Sequence, residues 1–134
     1  MNRLKGSVTA IQCSGELSQV DIACGNTGLT AFMLGKPNEN PGVAVGSDVW
    51  VLFKESEVAL AKGFSGALSL RNRFEGRIGK IVLGDLLAEV TLAYAGDTIV
   101  SIISRRACEA MELKVGDRVT ALVKANEITL MESD

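Results

Sequence analysis

The chain has 134 residues, 47% hydrophobic and 22% charged, which is the composition of a folded globular protein and not of a disordered one. Its formal net charge of −2 argues against a domain that holds nucleic acid mainly by charge, because such domains are usually strongly basic. Three cysteines and no histidine predict neither a disulfide framework nor a cysteine/histidine metal site. Because we find no signal-peptide pattern and no bilayer-length apolar run, we expect a cytoplasmic protein.

The first part of the chain, residues 1–62, is predicted to form strands. Apolar side chains, mainly valine and isoleucine, recur with a period close to two, which is typical of a strand with one buried face. The segment "GKPNENPGVAVG" interrupts this pattern. Pro37 and Pro41 exclude a continuous helix there, and the glycines favour turns.

A short linker is predicted over residues 63–68, where small residues and glycines interrupt the strand pattern. The segment "SLRN" follows it directly. In an extended segment Ser69 and Arg71 lie on one side and Asn72 on the other. A hydroxyl and a guanidinium can therefore point at the same ligand.

The second part of the chain, residues 69–134, is predicted to contain five strands and one helix. The strands are "GRIGKIVLG", "LLAEVTLAYAG", "TIVSIIS", "DRVTALVKA" and "EITLM". In "SRRACEAMELKVG" we expect Ser104 to cap a short helix and Gly116 to end it. Five strands with a helix or loop between the third and fourth is the element order of an oligonucleotide/oligosaccharide-binding (OB) barrel.

The two parts of the chain are copies of one unit. "VGSDVWVLFKESEVAL", which begins at Val45, aligns without a gap with "VGDRVTALVKANEITL", which begins at Val115. Identical pairs include Gly46/Gly116, Val49/Val119, Leu52/Leu122, Lys54/Lys124, Glu57/Glu127 and Leu60/Leu130. The prediction is an all-β fold with one short helix: two tandem OB-like five-stranded barrels over residues 1–62 and 69–134.

Taken in order, "SLRN", "FEGRIGKI" and "LKVGDRVTALVKANEITL" resemble the molybdopterin-binding-protein (Mop, or TOBE) family, and the tandem copies resemble its di-domain members. The resemblance implies a molybdate- or tungstate-binding protein with a role in storage or homeostasis. It further implies a homotrimer of hexamer-like organisation with the anion held at subunit interfaces, where Ser69 and Arg71 of one chain would meet Lys124 of another.

The chemistry of such a site suits these residues, because a tetrahedral dianion is best held by converging N–H groups, hydroxyls and one or two cations. The resemblance implies that "KAN" supplies Lys124 and local backbone N–H groups, and that Ser104 adds a hydroxyl. The predicted oxyanion-binding residues are Ser69, Arg71, Asn72, Ser104, Lys124, Ala125 and Asn126, with Lys54 and Ser56 as their equivalents in the first copy.

The first copy departs from the pattern. When the same alignment is extended along the chain, only Asn2 remains opposite Asn72, and Leu34 stands opposite Ser104. Glu55 occupies the place of Ala125, which puts a carboxylate where an anion should bind. We therefore expect the first copy to supply at most half-sites, or a second class of site built mainly from backbone groups near an oligomer axis.

Two other functions stay open at this point. A nucleic-acid-binding barrel is opposed by the acidic balance and by an aromatic content of only 4%, because such barrels usually stack bases on exposed rings. A regulatory module that binds a partner protein and has lost the anion would fit the degraded first copy. An enzyme is not expected, because the chain has no histidine for acid–base work and no phosphate-binding loop motif.

Overall fold

Two antiparallel sheets of five strands form the fold in this computed structural model, which describes residues 1–133. The strands are β1 (Asn2–Ser14), β2 (Leu17–Cys24), β3 (Thr27–Leu34), β4 (Asp48–Phe53), β5 (Ala59–Ala61), β6 (Asn72–Leu83), β7 (Leu87–Tyr94), β8 (Asp97–Ser104), β9 (Arg118–Val123) and β10 (Thr129–Glu132). The predicted all-β fold is confirmed. Strand β6 begins at Asn72, ahead of the predicted Gly76, because Asn72 already pairs with Val123 of β9.

The two repeats exchange their last strands. The strand order is β10-β4-β1-β2-β3 in one sheet and β5-β9-β6-β7-β8 in the other. Leu52 of the first repeat therefore pairs with Thr129 of the second, and in the other sheet Leu122 pairs with Ala59. The predicted boundary between residues 62 and 69 divides the repeats of the sequence, whereas each sheet takes one strand from the other repeat.

A single hydrophobic core contains side chains from both repeats. At its centre the ring of Phe74 stacks on Phe53 at 5.5 Å and meets Tyr94 edge-on at 5.1 Å. The hydroxyl of Tyr94 donates a hydrogen bond to the backbone carbonyl of Cys24, its own equivalent in the first repeat. A unit of about 65 residues is small for independent stability, so sharing one core stabilises both repeats.

The connection between the third and fourth strands differs between the repeats, as predicted. In the first repeat it forms only a 3₁₀ turn, Pro37–Glu39. In the second repeat it forms α1 (Arg105–Ala110), and the Ser104 hydroxyl accepts a hydrogen bond from the N–H of Ala107 as the predicted cap. The prediction that Gly116 ends this helix was wrong, because the chain turns earlier, at Glu112, which has a φ of 50°.

Lys62, next to the predicted linker, ties this segment to the second repeat. Its ammonium group donates to the carbonyl of Glu112 at 3.1 Å and lies 3.0 Å from the carboxylate of Asp117. Asp117 also accepts a hydrogen bond from the N–H of Lys114, and these contacts, with the backbone bond first, lower the pKa of its carboxyl. No helix within residues 1–133 is long and apolar enough to cross a membrane.

Of the three thiols, only Cys13 is expected to react rapidly in the native protein. Cys13 is exposed, whereas Cys24 and Cys108 are buried. Burial, with the nearby charge of Asp97, raises the pKa of the Cys24 thiol to about 11, and the thiolate is the reactive form. Titration with a thiol-reactive disulfide should label one thiol in native protein and all three in denaturant. Rapid labelling of a native Cys13→Ser variant would contradict this burial.

Candidate functional site

The "SLRN" and "KAN" segments lie side by side within one chain. Asn72 at the start of β6 pairs with Val123 at the end of β9, so the next residues outward are Arg71 and Lys124. Exposure alternates as predicted: Ser69 and Arg71 are exposed, and Asn72 is buried. The backbone positions of the two predicted cations therefore lie at the same edge of the same sheet, where β6 begins and β9 ends.

The electrostatics of this edge favour an anion. Among residues 1–133, neither Arg71 nor Lys124 forms an ion pair. The hydrogen-bond partner of the Arg71 guanidinium is the carbonyl of Leu68, at 3.5 Å. This edge therefore carries two cations that no carboxylate within residues 1–133 neutralises.

Backbone donors border the same edge. The 3₁₀ turn Ala125–Glu127 follows Lys124 directly. The first N–H groups of such a turn have no partner inside it, so the amides of Ala125 and Asn126 are suited to hold an oxyanion. The side chain of Asn126 is exposed beside them.

The carboxamide of Asn72 faces away from this edge. It is only 1% exposed, and it donates to the carbonyl of Thr30 at 2.9 Å and accepts from the N–H of Thr30 at 2.8 Å. Both of its polar atoms are therefore engaged with the first repeat. The structure does not place this side chain among the candidate anion donors.

Ser104 lies far from Arg71 in the same chain. It ends β8 and pairs with Leu87, beside the turn that joins β6 to β7. Arg71 precedes the opposite end of β6, which is 12 residues long and spans roughly 36 Å at about 3.3 Å per residue. Ser104 borders an open cleft of about 420 Å³, whose other lining residues are Asp85, Leu86, Arg105, Arg106 and Glu109.

The first repeat has a different arrangement at the equivalent edge. Lys54 and Ser56 are exposed, and Lys54 follows Phe53, the partner of Asn2 in the ladder. Between them the carboxylate of Glu55 lies 2.6 Å from the amino group of Met1, and this hydrogen bond is the main cause that lowers the pKa of Glu55. Because the carboxylate and the ammonium neutralise each other, this edge offers an anion less positive charge than the edge with Arg71 and Lys124.

Four of the six aromatic rings are not free to stack on bases. Phe53, Phe74 and Tyr94 are buried in the core, and a guanidinium covers the face of Trp50 at 3.9 Å. The two exposed rings, Phe32 and Phe64, lie in separate segments, on β3 and in the linker. The arrangement does not favour the nucleic-acid alternative. Within the described chain, no three acidic, cysteine or histidine side chains lie close enough together to hold a metal ion.

Two contacts near the site were not predicted from the sequence. Thr30 binds Asn72 through its backbone, which no residue type could have signalled. Arg73 folds back on the linker, where its guanidinium donates to the carbonyls of Leu70 and Leu68 at 3.2 and 3.4 Å. The one available signal was the pair Asn2 and Asn72, which the alignment of the two repeats preserves.

Comparison with known proteins gives consistent matches. The TOBE domain model matches residues 1–60 and 68–130. The chain superposes on the cytoplasmic molybdate-binding protein ModG, in a crystal form with molybdate bound, with a TM-score of 0.90 and 31% sequence identity, covering 98% of this chain and 96% of that one.

Two curated relatives cover most of this chain. Over 76% of its own length, this chain is 36% identical to the molybdenum-pterin-binding protein MopB of Rhodobacter capsulatus. It is 30% identical to the molybdenum transport protein ModE of Herbaspirillum seropedicae over 92% of its length. The matches span 38% and 47% of those proteins, so the chain corresponds to about half or less of each.

Proposed function

The chain belongs to the TOBE domain family, and from this premise we propose that it binds molybdate or tungstate as a tetrahedral dianion. Arg71 and Lys124 supply the positive charge, Ser69 supplies a hydroxyl, and the amides of Ala125 and Asn126 supply backbone donors. The chain acts as a binding protein and not as an enzyme. Molybdate binding by ModG, the structural neighbour that matches over almost the full chain, supports this ligand class.

The observation that argues most for an anion is the pair of cations at one sheet edge. Arg71 and Lys124 are the chain neighbours of the paired residues Asn72 and Val123. No carboxylate within residues 1–133 neutralises either of them. A bound dianion would neutralise this charge and accept charge-assisted hydrogen bonds from both groups. Lys54 and Ser56 contribute less, because Glu55 brings a negative charge to the equivalent edge.

We also propose that the site is completed by a second copy of the chain. The side chains of Ser69, Arg71 and Lys124 are all exposed, and Ser104 lies at the far end of the sheet that holds Arg71. Ser104 can join the site only if the β6–β7 turn of one copy meets the "SLRN" edge of the next. A head-to-tail contact forms a closed ring when its rotation closes, and the ring that we propose is a homotrimer.

Exposed apolar side chains support association at the same turn. Val82, Leu83, Leu86 and Leu87 are 47%, 48%, 81% and 57% exposed. A cluster of this kind at one end of a chain is typical of a contact surface. For the physiological role we propose storage or homeostasis of the anion in the cytoplasm, as the resemblance implied.

Native mass spectrometry with and without molybdate tests ligand and assembly together, with sulfate as the competing anion. We expect a species of three 14.2 kDa chains that takes up molybdate and does not take up sulfate. An assembly that binds neither anion would refute the proposed ligand and favour the partner-binding module. A monomer that binds molybdate would refute the shared site while leaving the ligand in place.

A further inference from the structure

Two equivalent asparagines each connect an interior strand of one sheet to an edge strand of the other sheet. Asn72 bonds the N–H and carbonyl of Thr30 on β3, and Asn2 bonds the N–H and carbonyl of Val100 on β8, each bond 2.8 or 2.9 Å long. Strands β3 and β8 each lie at the edge of their sheet. Each carboxamide therefore satisfies backbone groups that an edge strand leaves unpaired. We call each of these asparagine contacts a clamp.

The two clamps differ in what precedes them. Asn72 comes directly after Arg71, and the 3₁₀ turn Ala125–Glu127 also lies against β3. Asn2 comes directly after Met1, which carries no guanidinium, and the equivalent 3₁₀ turn brings the carboxylate of Glu55. The start of β6 and the 3₁₀ turn, which carry the two parts of the proposed anion site, thus both contact β3, the edge strand from the first repeat.

We propose that Asn72 is a positioning residue whose clamp on Thr30 holds Arg71 and the "SLRN" segment in place for the anion, an inference that rests on the proposed function. Residues 62–71 form no helix or strand, so the backbone that carries Ser69 and Arg71 depends on how its end is fixed. The clamp fixes that end together with the ladder pair between Asn72 and Val123. Without the clamp, anion binding must order more of the segment, and the lost conformational entropy weakens the affinity.

A different hydroxyl contact lies beside each clamp. Beside the Asn2 clamp, the hydroxyl of Ser101 donates to the carbonyl of Val58 at 2.7 Å. The equivalent of Ser101 beside the Asn72 clamp is Ala31, which has no hydroxyl. The hydroxyl of Thr27 donates to the carbonyl of Arg73 at 3.1 Å and supports the same strand start.

The test compares Asn72→Leu with Asn2→Leu by calorimetric titration with sodium molybdate and by thermal unfolding. Both substitutions remove one buried clamp, so we expect similar decreases in the unfolding midpoint. For molybdate, we expect Asn72→Leu to weaken binding about ten-fold or more and Asn2→Leu to stay within about two-fold of the wild type, as for removal of an outer-shell partner. A purely structural clamp would change the two affinities alike.

A second pair of variants covers the case in which Asn72→Leu does not fold. Thr30→Pro and Val100→Pro each remove the N–H that a clamp asparagine accepts from, at an edge-strand position where proline is tolerated. Only Thr30→Pro should lose molybdate affinity.

Equal losses within a pair, or full affinity in Asn72→Leu, would overturn the positioning role while the proposed function stands. A wild-type chain that binds no molybdate would overturn both.

Discussion

Arg71→Ala and Lys124→Ala should each abolish most of the tight molybdate binding. Hydrogen bonds to a charged group contribute about 1.5–3 kcal/mol each, which corresponds to roughly ten- to hundred-fold in affinity. Because both side chains are exposed, the free energy of unfolding should change by less than about 0.5 kcal/mol. The measurement is calorimetric titration with molybdate, beside thermal unfolding of each variant.

The control for this pair is Lys80→Ala. Lys80 is an exposed cation on the same strand β6, eight residues beyond Asn72. Its removal changes the net charge by the same amount as the loss of Arg71 or Lys124 but leaves both of those residues in place. Its affinity should match the wild type. Lys54→Ala, at the equivalent position of the first repeat, should lose less than Lys124→Ala because Glu55 already opposes an anion there. Unchanged affinity in both Arg71→Ala and Lys124→Ala would remove the proposed site.

Local features of the fold were predictable because they depend on short-range patterns. The apolar period of two predicts strands that bury one face in the core. The gapless alignment of Lys54 with Lys124, and of the residues around them, shows that the sequence is a tandem repeat. The cap at Ser104 follows from a single side chain that accepts a bond from the N–H of Ala107. The helix end was mispredicted, because the glycine signal at Gly116 outweighed the less usual left-handed residue Glu112.

The strand exchange could not be predicted from the same patterns. The segments that become β5 and β10 are repeats of each other, and Leu60 and Leu130 occupy equivalent positions in them. Either segment fits the alternation of either sheet. The apolar pattern therefore does not show whether each segment pairs within its own repeat or with the other repeat. The choice depends on how the chain between β5 and β6 runs, which is a long-range property.

The candidate site was predicted in part for a similar reason. Alternation along "SLRN" correctly separated Ser69 and Arg71 from Asn72. It could not show that the inward-facing Asn72 would meet Thr30, because that contact reaches a distant part of the sequence through backbone atoms. The placement of Lys124 beside Arg71 in one chain likewise depends on the ladder between β6 and β9, whereas the resemblance implied that the two residues meet between chains.

Phe74→Ala should have the largest effect on stability of any substitution considered. Phe74 is 0% exposed and contacts Phe53 from the first repeat and Tyr94 from the second. Replacing a buried phenylalanine by alanine costs about 3–5 kcal/mol through lost burial and the cavity that remains. Total stabilities are about 5–15 kcal/mol, so this one change removes much of the free energy of unfolding.

The unfolding curve distinguishes a shared core from two separate ones. Because Phe74 belongs to one cluster that both repeats line, its loss should destabilise both repeats, and urea unfolding should show one transition at a lower midpoint. Phe64→Ala removes the same ring at a 49%-exposed position and should leave the midpoint almost unchanged. Comparisons need one fixed protein concentration, since association also stabilises the folded chain. Two separate transitions in Phe74→Ala would mean that the repeats fold independently, despite the exchanged strands.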